Sequence, residues 1–264
     1  MKKCLFFCFM LAIPTLLLAQ SEPIKFANDR VRKYSVKFWD TNGDGELSYD
    51  EAAAVTTLDT VFRYKSEIHG TFRELRHFTG LRKINALAFS DCHWMTAIEL
   101  PPTIDTICYR AFWSCIRVDT LLLPKTLHVI EPYGFYHCMR LKEINIPGTV
   151  DSIPTATFMW CEEMKTATIN EGTRIIGPGA FAHCESLQYI YLPSTIISVG
   201  DNVLTGSIWL RQVVIRATVP PAATDKSFGK DVVSNAVLYV PEGTIKAYRK
   251  APGWRRFKYI SELF

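Results

Sequence analysis

The chain has 264 residues, 48% of them hydrophobic, and a formal charge of +4 set by 30 basic and 26 acidic residues. That length allows one extended or two compact domains. So small a net charge argues against nucleic acid, or a strongly acidic substrate, as the natural partner.

The first residues, MKKCLFFCFMLAIPTLLLAQ, carry Lys2 and Lys3, then an apolar run, then Leu17 and Ala19 at the positions expected before a cut at Gln20. This predicts a secretory signal peptide over 1–19. The run is short for a membrane span, so no transmembrane segment is expected. Loss of Lys2 and Lys3 lowers the mature charge to +2. Export predicts a secreted, cell-surface or periplasmic protein. Cys4 and Cys8 lie inside the leader, too early to become a lipidated N-terminus.

Residues 20–59 read as helical around a polar loop. Val31, Tyr34 and Phe38 share one helical face, and a helix restarts at Glu51. Between them runs Asp40-Thr-Asn42-Gly-Asp44-Gly-Glu46-Leu-Ser48-Tyr-Asp-Glu51. The pattern is that of an EF-hand calcium loop, because calcium takes six to eight hard oxygens in a flexible cage. Asp40, Asn42, Asp44 and Ser48 offer side-chain oxygens, Glu46 its carbonyl, and Glu51 both carboxylate oxygens, while Gly45 supplies the sharp turn. The bland alternative is an acidic turn that holds no metal. With no second copy to form a sensor pair, calcium is expected as a staple ordering the N-terminal helices.

Residues 60–83 are expected to form an N-terminal cap, with Phe72, Leu75, Phe78 and Leu81 at helical spacing. From 84 to 215 one pattern returns every 23 residues, starting at Ile84, Ile107, Ile130, Ile153, Ile176 and Val199. Each unit then brings a small-bulky pair: Ala88-Phe89, Ala111-Phe112, Gly134-Phe135, Thr157-Phe158, Ala180-Phe181 and, deviating, Val203-Leu204. Cys92, Cys115, Cys138, Cys161 and Cys184 follow each Phe, and Ser207 takes the sixth place. Apolar-x-apolar triplets close each unit, as in Ile98-Glu99-Leu100-Pro101, and read as short strands ended by proline. A fixed period of this size means stacked units that bury a shared core. Equivalent residues in adjacent parallel strands stand about 4.8 Å apart, wider than disulfide geometry allows. The cysteine column therefore reads as buried free thiols, with pairing of Cys108 left open. Residues 216–264 change composition and are expected to form a C-terminal cap: a strand at Val237–Val240, a helix at Thr244–Ala251, and an aromatic closure of Trp254, Phe257, Ile260 and Phe264.

At these residues the chain resembles the BspA-like (Treponema-type) class of leucine-rich repeat proteins. The resemblance covers 84–215, with Asn170-Glu-Gly172-Thr173 departing from the proline turn. It implies a leucine-rich-repeat solenoid: short parallel β-strands on a concave face, turns and 3-10 segments on the convex one, a small α-helical EF-hand-like segment and a mixed cap. It also implies an exported bacterial protein that binds a protein or glycan. The repeat is scaffold and transfers no catalytic residue.

Outward strand positions should line the recognition face. Glu99, Leu122, Asn145, Thr168, Tyr189 and Tyr191 are the candidates, with tyrosines suited to anchor an interface. Tyrosine is also common on strands that bind nothing. His137 and His183 share a column two units apart, about 10 Å, too far to hold one metal. Lys246, Arg249, Lys250, Arg255, Arg256 and Lys258 form a basic run that could touch an anionic glycan or lipid, or be the solvated face of a cap. No nucleophile elbow, P-loop, dinucleotide fingerprint or His-Glu-x-x-His occurs. The expectation is a monomeric interaction module and not an enzyme, with an architectural spacer as the alternative and an enzyme sited in the caps as a third.

Overall fold

The computed structural model describes residues 21–263. The expected signal peptide and Phe264 lie outside the described residues. The chain winds into a parallel β-solenoid of about eight turns. Each repeat contributes a two-residue strand that begins it, at Lys83–Ile84, Thr106–Ile107, Val129–Ile130, Ser152–Ile153, Ile175–Ile176 and Ser198–Val199. It also contributes a longer strand on the opposite wall. Glu143–Ile146, Thr166–Ile169, Tyr189–Leu192 and Gln212–Ile215 pair in parallel and in register, and the sheet continues into the cap through Val237–Val240 and Tyr259–Glu262. Alternation within each strand sends Ile144 and Ile146, or Ile190 and Leu192, inward.

The Phe row is the spine of the core. Phe89, Phe112, Phe135, Phe158 and Phe181 stack nearly parallel at 5.2–5.3 Å between centroids, and all are buried. The row starts one turn earlier than the repeat pattern indicates, at Phe62, 5.5 Å from Phe89. Beside it the cysteines are all free. Each buried thiol donates to the Phe carbonyl of the preceding turn, from Cys92 to Phe62 at 2.9 Å through Cys184 to Phe158 at 3.2 Å. Ser207 makes the same bond to Phe181 at 3.4 Å. A second column, in which Thr103, Thr126, Thr149 and Thr195 hydroxyls donate to carbonyls of the turn before, runs along the opposite corner. Two left-handed residues recur per turn, among them Arg110 and Ser114, Tyr133 and His137. Their N–H groups donate to the next turn, which holds a conformation that L-residues otherwise avoid.

Several expectations change. The N-terminal helix α1, Asp29–Trp39, is capped by Asn28, whose side chain accepts from Arg30 and Val31 N–H groups. It turns Val31 and Ser35 inward and leaves Phe38 half exposed, because Trp39 takes the place against Phe62 and Phe78. Phe72, Leu75, Phe78 and Leu81 are all buried, but only Arg73–His77 between them is helical, as a 3-10 turn. In the first repeat the strand lies at Met95–Ile98, earlier than Ile98–Pro101, because it must pair with Gly70–Phe72 of the cap through an irregular register. The cap helix shortens to Ile245–Tyr248. Trp254 and Phe257 do close the end, packing on Phe228 at 4.8 and 5.1 Å.

Candidate functional site

The long-strand face is interrupted in the second repeat. Thr120 makes one isolated parallel bridge, to Ala97, and no ladder joins 120–123 to the next strand, so Glu143–Ile146 is an edge. Leu121 and Leu123 stand here where the following turn carries β-branched Ile144 and Ile146, which hold extended backbone better. Leu122 is left 77% exposed. Across the break opens a groove of about 1140 Å³, lined by Leu122, Asn145 and Thr168 together with Lys125, Lys142 and Glu171. Beyond it two outward rows run in register, Glu143-Thr166-Tyr189-Gln212 and Asn145-Thr168-Tyr191-Val214.

The structure thus brings Leu122, Asn145 and Thr168 into one groove, with Tyr191 in the same row and Tyr189 beside it. Glu99 is elsewhere. It accepts Arg76 at 2.7 Å and faces Arg73 at 3.7 Å, which ties it to the N-terminal cap. Tyr239 and Tyr259 extend the tyrosine band into the cap, aligned with Tyr191 and, through Val237, with Tyr189. Reading 237–240 as part of a cap concealed that it continues the same sheet. One part of the groove lining is built closely: a Cβ on Gly148 would fall 1.7 Å from the Glu171 carbonyl, so the two backbones touch where Asn170-Glu-Gly-Thr replaces the proline turn. Asn170 closes it by donating to the Ile146 carbonyl at 2.7 Å. Burial would raise the Glu171 carboxyl, but the Ser194 N–H and hydroxyl outweigh it and hold the group below the usual carboxylate range.

The acidic loop is folded tightly on itself. Asp40 accepts from Gly43 and Gly45 N–H groups at 2.7 and 2.9 Å, Asn42 Oδ1 from Asp44, and Asp44 Oδ1 from Glu46. Gly43 and Gly45 take positive φ of 76° and 83°. Ser48 and Glu51 form a capping box at the start of α2, Tyr49–Ala54. The second Glu51 oxygen reaches back to Thr41 N–H at 2.8 Å and Thr41 hydroxyl at 2.9 Å. Burial pushes the Glu51 carboxyl up, yet these N–H and hydroxyl bonds prevail and hold it at about 2. Leu47 is buried, and its carbonyl accepts from Ile24 at 2.8 Å, so the segment before α1 braces the loop. Glu46 turns its carboxylate to Arg32 at 2.6 Å. Among the described residues no three His, Cys, Asp or Glu side chains converge closely enough to hold a metal. The loop's donor set nevertheless suits calcium in kind, since Asn42, Ser48 and the Glu46 carbonyl complete it with neutral oxygens.

Of the remaining candidates, both histidines and three of the arginines make contacts within the scaffold. His137 bonds Ser114 Oγ at 3.2 Å, and His183 stacks on Trp160 at 4.1 Å. In the basic run Arg249 donates to the Phe257 carbonyl, Arg256 to Phe228, and Arg255 pairs with Asp225 at 2.6 Å, so these arginines lash the cap together. No helix among the described residues is long and apolar enough to cross a membrane.

Comparison with known proteins agrees with this architecture. Residues 74–219 match, in six copies, the family described as BspA type leucine rich repeat region. A leucine-rich repeat protein from Eubacterium ventriosum is similar at 18% identity and a TM-score of 0.50, over 55% of this chain and 38% of that one. The T. pallidum leucine rich repeat protein is similar at 21% identity and a TM-score of 0.50, over 64% of this chain and 76% of that one. Both likenesses concern the fold. No curated protein matches the chain.

Proposed function

Because the chain belongs to the BspA-type leucine-rich repeat family, we propose that it is an exported bacterial binding module that holds a protein or glycan partner on its long-strand face. The observation that carries this reading is the groove at the broken ladder. An exposed leucine, Leu122, stands there beside outward amide and hydroxyl groups at Asn145 and Thr168, next to the half-exposed ring of Tyr191. An apolar anchor with a few fixed polar groups is the composition of a recognition site. An edge strand beside it adds unpaired backbone groups to which an extended segment could bond.

Calcium, in this reading, braces the N-terminal segment through Asp40, Asn42, Asp44, Glu46, Ser48 and Glu51. Bound there, the ion would supply charge compensation, and these residues would supply its oxygens from a loop already ordered by its own hydrogen bonds.

Partner capture from neighbouring or host cells, with Leu122→Ala combined with Asn145→Ala, and separately Tyr189→Ala with Tyr191→Ala, tests the face. Loss of about tenfold or more in recovered partner, with melting unchanged, is expected. Recovery equal to the parent would instead favour an architectural spacer that binds by its ends. Sequencing the N-terminus of the exported protein should start it at Gln20.

A further inference from the structure

On the wall opposite the long strands, the second and third repeats assemble a cluster that the repeat scaffold does not require. Arg110 lays its guanidinium over three rings, 4.1 Å from the Trp113 centroid, 4.9 Å from Tyr109 and 5.4 Å from Tyr133. Trp113 in turn stacks on Tyr136 at 4.1 Å with planes 13° apart. Arg110 sits in the left-handed conformation, φ 54°, with its N–H bonded to the Pro132 carbonyl at 3.3 Å and its own carbonyl to Trp113 N–H. The backbone is therefore fixed and the side chain is clasped. Yet the guanidinium makes no hydrogen bond and no ion pair among the described residues, and its Nε is buried without a partner. Glu131 nearby makes no ion pair with it and accepts the Tyr109 N–H at 2.6 Å.

We propose that this cluster is a docking site for an acidic side chain, Asp or Glu, of a partner protein. A guanidinium whose faces are covered by rings and whose Nε is buried keeps its two terminal Nη groups for a planar, two-oxygen acceptor. Its rotamer is already held by Tyr109, Trp113 and Tyr133, so binding orders little that is free. Tyrosine, tryptophan and arginine together are also the residues that dominate protein interfaces. A sugar ring is disfavoured because stacking needs an open aromatic face, and Trp113 has Arg110 on one side and Tyr136 stacked against it as well. A sulfated polyanion is disfavoured because the cluster offers it one cation, Arg110. This surface lies away from the groove, and its fate is independent of the function proposed for that face.

The test uses the full chain as target for displayed random peptides, with Arg110→Lys as counter-target and its melting temperature as fold control. Enriched peptides should carry Asp or Glu. They should bind the parent at least about tenfold better than Arg110→Lys, which keeps charge but loses the fork, and lose as much when their acid is changed to the amide. In the unmodified protein, the Arg110 Nε nitrogen–proton resonance should move with the acidic peptide and stay still with the amide peptide. Enrichment without acids, binding to Arg110→Lys within about twofold, a still resonance with the acidic peptide, or displacement by heparin oligosaccharide at equal concentration would each overturn the proposal.

Discussion

The cysteine column answers two demands at one position, a small apolar volume beside the Phe row and a donor for a buried Phe carbonyl. A thiol meets both, as a weak donor that packs like a hydrophobe. Ser207 meets the second at the edge of the stack, which is why the exchange there is tolerated. Burial raises the thiols well above their ordinary value of 9.0, with Cys92, Cys138 and Cys184 pushed to about 12. Among the described cysteines of the native protein, a thiol reagent should therefore modify Cys108, which is half-buried, and reach the other five only on unfolding; counting labelled cysteines by mass spectrometry checks this. Since the folded value exceeds the unfolded one, the stability held by neutral thiols is complete below pH 9.0 and is lost as pH rises through about 12. Phe135→Ala removes the middle ring of five and should cost about 3–5 kcal/mol, read from the denaturant midpoint. A variant as stable as its parent would contradict the ring stack.

Among the elements, the turn at Asn170–Thr173 and the acidic loop carry the sharpest constraints. Gly148 and Gly172 face each other so closely that a Cβ on either falls about 2 Å from a backbone oxygen. Gly148→Ala must push the turn apart, and should lower stability by about 1–3 kcal/mol and widen the groove at that turn. Thermal unfolding measures the first. In the loop, Glu51 is held at about 2, below its ordinary 4.5, so its contribution is fully present above pH 4.5 and lost as pH falls through about 2. Acid unfolding of the N-terminal segment should show this loss, and Glu51→Gln should remove it at neutral pH. Calcium should raise the melting temperature of the same segment, and a chelator should return it; identical curves would remove the staple.

At the scale of the whole molecule, each turn contacts only its neighbours, so the ends decide solubility. Phe62, Phe72 and Phe78 seal one end. At the other, Trp254 donates its Nε1–H to the Pro221 carbonyl at 2.8 Å and packs on Phe228 and Tyr248. Trp254→Ala should cost about 3–5 kcal/mol and uncover Phe228. Size-exclusion chromatography should then show association through the bared end, whereas a monomer of unchanged stability would assign the seal to other residues.

Recurrence of Ile, small-Phe and Cys by itself determined the solenoid, the buried thiols and the wall on which each side chain lies, because a unit unable to bury its own Phe must stack. That a polar loop separates two helices near the N-terminus was equally legible, as its spacing is local. Other features depended on contacts between turns and were not readable from spacing. Phe62 heads the ring stack although no repeat announces it, and the first strand shifts to meet Gly70–Phe72. Glu99 is taken by Arg73 and Arg76, and Leu122 gains its groove only because the ladder fails beside it. Arg110 is clasped by rings from two successive turns. Periodicity specifies what each residue is within its turn; only the packing of one turn on the next decides which of those residues stay free to meet a partner.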